Sequence, residues 1–146
     1  MKPVSLPAML VAATLPFASM AETAELGLAG LLSASNKQDL PPILLSAGAP
    51  LAAAPLRLRS GTYYEIEIEG DGSQELGLAG PEFFRAIWID EIVIEGLEIR
   101  PMAIDSVEFD EAGTMEIGFI AIKPGSYYLK IPGSTGDSQS LEITIE

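Results

Sequence analysis

The run Tyr64-Glu65-Ile66-Glu67-Ile68-Glu69 alternates strictly between apolar and acidic residues. Successive side chains of a strand point to opposite faces, so this segment suits a strand with one buried and one solvated face. The same period returns in Met115, Ile117 and Phe119, separated by Glu116 and Gly118, and in Leu141, Ile143 and Ile145, separated by Glu142 and Thr144. Shorter strands are expected over Gln74 to Leu78, Ser106 to Phe109 and Tyr127 to Ile131. A β-branched strand over Ala86 to Ile94 is interrupted at Asp90-Glu91, where a bulge or a turn is expected. Asp71-Gly72, Asp110-Glu111-Ala112-Gly113 and Lys123-Pro124-Gly125 supply turns between them. About seven strands with no long amphipathic helix predict an all-β sandwich over Leu56 to Glu146.

The first half of the chain is different. Lys2 is the only charge before Glu22, Val4 to Phe17 is apolar, and Ser19-Met20-Ala21 places small residues ahead of a cleavage site. This pattern predicts a secretory signal peptide over 1–21. The apolar run is shorter than the ~20 residues that span a bilayer. Residues 22–55 are rich in Ala, Leu, Ser and Pro, with breakers at Pro41-Pro42, Gly48, Pro50 and Pro55. They read as an arm or linker, partly packed and dispensable for folding.

Composition narrows the chemistry. The net charge is −13, and loss of Lys2 with the leader makes it −14. Such a surface repels nucleic acid and anionic lipid and suits a partner with a basic surface. The chain contains 0 Cys and 0 His. Disulfides, thiolate nucleophiles, imidazole bases and imidazole ligands are therefore all excluded, and no enzymatic role is expected. The acidic clusters are Asp90-Glu91 and Asp105, Glu108, Asp110 and Glu111, none with the loop spacing of a calcium site. Met115 fits an inward strand position, and Met102 follows Pro101 in a loop. Phe83, Phe84 and Trp88 form the one aromatic cluster; such a cluster is more often core than ligand platform, and any part of it that is exposed is the best candidate contact surface.

Three segments in order carry a family resemblance: the Asp71-Gly72 turn with the strand through Leu76, Pro81-Glu82-Phe83-Phe84, and Pro124-Gly125-Ser126-Tyr127. Together they make Leu56 to Glu146 similar to the cupredoxins, exported Greek-key β-sandwiches that hold type 1 copper. The resemblance implies a histidine ligand at the position of Leu76 and a cysteine ligand at that of Ile131. It also implies a second histidine and a methionine in the loop that here runs from Pro132 to Gln139. Type 1 copper needs two imidazoles and a thiolate with a weak axial sulfur, and this chain supplies neither ring nor thiolate. The expectation is an exported, periplasmic accessory or binding protein with vestigial ligand positions, no metal and no cofactor. The alternatives are a copper-handling or electron-transfer protein whose ligands come from a partner chain, and a carboxylate-based binder of a divalent metal.

Overall fold

Residue by residue, the apolar alternation becomes two sheets packed face to face. The computed structural model describes residues 30–146; the expected leader and the first part of the expected arm lie outside the described residues. Among the described residues eleven strands are formed: β1 Lys37–Asp39, β2 Ile43–Leu45, β3 Leu56–Leu58, β4 Tyr63–Gly70, β5 Leu76–Ala79, β6 Ile87–Ile94, β7 Leu97–Ile99, β8 Ser106–Phe109, β9 Gly113–Ala121, β10 Gly125–Lys130 and β11 Ser140–Ile145. One sheet has the order β1-β4-β9-β6-β7, with β2 also on β4; the other has the order β3-β11-β10-β5-β8. In β4 the residues Tyr64, Ile66 and Ile68 are buried while Glu67 and Glu69 face water, as the alternation requires. Phe119, Ile117, Ile68 and Ile43 meet Leu78, Ile143 and Ile145 in one continuous core.

The expected boundary at residue 56 is corrected. β1 and β2 both pair in parallel with β4, Lys37 opposite Tyr63 and Ile43 opposite Ile68. They are two pieces of one edge strand, broken where Pro41 and Pro42 offer no backbone N–H, and prolines in sheets belong at edges. Ile43, Leu45 and Leu51 are almost fully buried. Backbone bonds from Leu40 to Glu65 and from Leu51 to Ser138 tie the segment to β4 and to the turn that precedes β11. Residues 37–51 are therefore part of the sandwich.

A four-residue helix, α1 Pro81–Phe84, connects β5 to β6. It begins at Gly80, where a side chain would overlap Leu129 Cδ2 and lie 2.8 Å from the Tyr128 carbonyl oxygen. Proline at its first position needs no N–H donor. The helix drops Phe83 edge-on against Phe119, with centroids 5.7 Å apart, and against Tyr127 at 6.3 Å.

Candidate functional site

Leu76 and Ile131, where the resemblance implies ligands, lie at one end of two adjacent antiparallel strands. β5 and β10 pair through Ala79 and Lys130; Leu76 begins β5, and Ile131 follows β10. Leu76 is 9% exposed and Ile131 7%, and both belong to the core cluster with Leu78 and Leu129. The following loop satisfies itself. Ile131 N–H donates to the Gln139 carbonyl, Ser134 N–H donates to the Ile131 carbonyl, and the Ser134 hydroxyl bonds the Gln139 side chain. Among the described residues no buried side-chain nitrogen or oxygen lacks a partner. Aliphatic walls, a closed polar loop and a chain with 0 His and 0 Cys do not fit type 1 copper.

The aromatic contact surface is corrected in two of its three members. Phe83 and Phe84 are core side chains, for the reasons given with α1. Trp88 alone is open, 48% exposed, on the outer face opposite Ile120.

The acidic clusters separate into two kinds. At Asp90 the register of β6 against β9 shifts, as expected for a bulge. The extra residue lets both Asp90 and Glu91 meet Arg100, at 3.2 Å each, and Glu98 joins them at 3.2 Å. The Tyr63 hydroxyl reaches Asp90 at 3.4 Å; burial, then the charges of Asp90 and Glu91, push its pKa well up. Asp105 pairs with Arg85 at 3.8 Å. By contrast, Glu75, Glu108 and Asp110 converge with carboxylate oxygens within 4.8 Å of one another and have no ion-pair partner among the described residues. A hydrogen bond to Glu108, then the charges of Glu108 and Asp110, raise the Glu75 pKa above the usual carboxylate range. Three exposed carboxylates fall short of the six to eight oxygens that calcium takes.

That cluster borders a feature the sequence reading missed. β7 ends one sheet and β8 ends the other, and between these edges a cleft of about 580 Å³ opens on Ile92, Ile99, Ile104, Val107, Phe109 and Met115. Phe109 forms its floor, reaching across to the other sheet because Gly70 has no side chain; a Cβ there would stand 2.9 Å from the ring. Ile94 and Ile99 line it and are exposed, and Leu97 of β7 is 63% exposed. Glu95, Glu108, Asp110 and Glu111 line the rim. The signal was available: from Ile92 to Met102 apolar residues occupy both phases of the strand period, more than one buried face can absorb.

No family model and no curated protein sequence matches the chain. Solved structures do resemble it. The copper nitrite reductase of Nitrosomonas europaea superposes with a TM-score of 0.50 at 17% identity, over 65% of this chain and 33% of its own. A blue copper oxidase from the same organism gives 0.49 at 14%, over 63% of this chain and 30% of its own. A multicopper oxidase from Campylobacter jejuni gives 0.48 at 6%, over 70% and 22%. The fold is thus cupredoxin-like, and the chain spans about a third of the length of the nitrite reductase. No helix among the described residues is long and apolar enough to cross a membrane.

Proposed function

We propose that this protein is an exported, non-catalytic binding or accessory module built on a cupredoxin-like sandwich without type 1 copper. The observation that carries the reading is the burial of Leu76 and Ile131, two aliphatic side chains, at the positions where the resemblance places imidazole and thiolate ligands. Buried there, each stabilises the fold by about 1.5–3 kcal/mol through burial, a contribution a polar ligand would forgo. Export rests on the leader-like composition of residues 1–21 and on the acidic surface. What remains for function is surface: an acidic exterior suited to a basic partner, and the cleft between β7 and β8.

Calorimetric titration of the purified protein with Cu(I) and Cu(II) tests the reading. Heats of dilution alone are expected. Stoichiometric uptake at micromolar affinity or tighter would overturn it in favour of a copper-handling protein. The mass of the protein recovered from its host should correspond to cleavage after Ala21.

A further inference from the structure

We propose that the cleft between β7 and β8 receives an extended, cationic segment of a partner protein, which adds as a strand along the β7 edge. This rests on the binding-module reading and names the partner class and its place of docking.

Three independent observations converge on the cleft. β7 is the last strand of its sheet, so the backbone groups on its far side are unpaired within the sheets, and an unpaired edge is a template for another strand. Native edges are usually blunted by charge, proline or a covering loop. Here Leu97 and Ile99 are exposed on either side of the one charged residue of the strand, Glu98, and Ile94 pairs opposite Leu97. The floor beyond the edge is apolar, with Ile104, Val107 and Phe109 offering places for alternate side chains of an added strand.

Charge chooses the occupant. The rim carries Glu95, Glu108, Asp110 and Glu111, and Glu75 crowds Glu108 and Asp110. A second copy of this chain would bring the same acidic rim and another −13 of net charge against it. A segment alternating aliphatic residues with Lys or Arg meets both demands: its apolar side chains enter the cleft and its cations meet the unpaired carboxylates.

The experiment uses isotope-labelled protein and a short synthetic peptide of alternating Val and Lys, with a Val–Glu peptide as control. Amide shifts on titration should concentrate at Leu97 to Ile99 and Ser106 to Asp110. Affinity should fall by about tenfold or more as salt rises to ~0.5 M. Ile99→Lys should weaken binding by about tenfold or more without changing the spectrum elsewhere. The double change Glu108→Gln with Asp110→Asn, at exposed positions, should weaken binding and flatten its salt dependence. Absence of binding, equal binding of the Val–Glu peptide, or insensitivity to both variants overturns the proposal. So does a dimer in sedimentation that Ile99→Lys dissolves, since that would make a second copy the occupant. A failed peptide titration together with a silent copper titration removes the cleft and leaves the module reading standing; copper uptake removes that reading whatever the peptide does.

Discussion

A methyl group at position 118 would overlap the hydroxyl of Tyr63 and stand 3.1 Å from its ring carbon Cζ. Gly118 lies in β9 between Glu65 of β4 and Glu91 of β6. Its bare backbone leaves a slot through which the Tyr63 ring crosses the central strand to reach Asp90 on the far side. Gly118→Ala should therefore destabilise the protein by about 1–3 kcal/mol, since the buried ring has nowhere to retreat. Combined with Tyr63→Phe, which removes the overlapping oxygen, the same substitution should cost measurably less. Urea unfolding of the two single variants and the double variant would show the coupling.

Ile131→Ala removes a buried side chain from the corner where the resemblance places a ligand. The expected cost is about 2–5 kcal/mol, read as a lower urea midpoint at unchanged slope. A loss well under 1 kcal/mol would mean the corner is loosely packed, and would weaken the reading that core has replaced a site.

Deleting residues 37–51 takes away a whole edge of the β4 sheet together with Ile43, Leu45 and Leu51. Thermal unfolding of the deleted chain should lose its cooperative transition. Ile43→Ala alone, at a side chain with no exposure, should cost about 2–5 kcal/mol.

Glu75 provides a test by pH. A carboxyl whose pKa is raised on folding holds its proton more tightly in the folded state, so its penalty is absent below the ordinary value of 4.5 and develops as pH rises through the raised one. Glu75→Gln should consequently raise the melting temperature at pH 7 and leave it nearly unchanged at pH 3. The gain should shrink at high salt, because the cluster is exposed.

Much of this architecture was readable from period alone. The alternation in β4, β9 and β11 gave those strands and their inward faces, and Asp90-Glu91 marked an interruption of β6 that could have been a bulge or a turn and is a bulge. The three-residue strands β1 and β2 were not readable, because a strand so short contains less than two periods and its identity comes from pairing with β4. Phe83 and Phe84 looked like surface candidates because nothing local announces a four-residue helix; Gly80 and Pro81 make it, and the turn aims both rings inward. Leu76 and Ile131 were singled out by resemblance, and both are buried in the core. The cleft escaped notice because it exists only where the ends of two sheets meet, and Val107 and Phe109 become its wall only once β8 has taken the outer place beside β5.

β3 has a single neighbour in its sheet, β11, with Leu56 opposite Ile143. Arg57 and Glu146, 89 residues apart in the chain, pair at 3.3 Å. The earliest strand of that sheet thus waits for the latest, and the contact between them is parallel and closes a long loop, both of which slow folding. During synthesis the segment Leu56–Leu58 stays unpartnered in its sheet until β11 has been made, so assembly of this sheet is timed by residues that emerge long after it, and a chain stopped short of Ser140 would leave β3 and one flank of β10 open to the wrong strand.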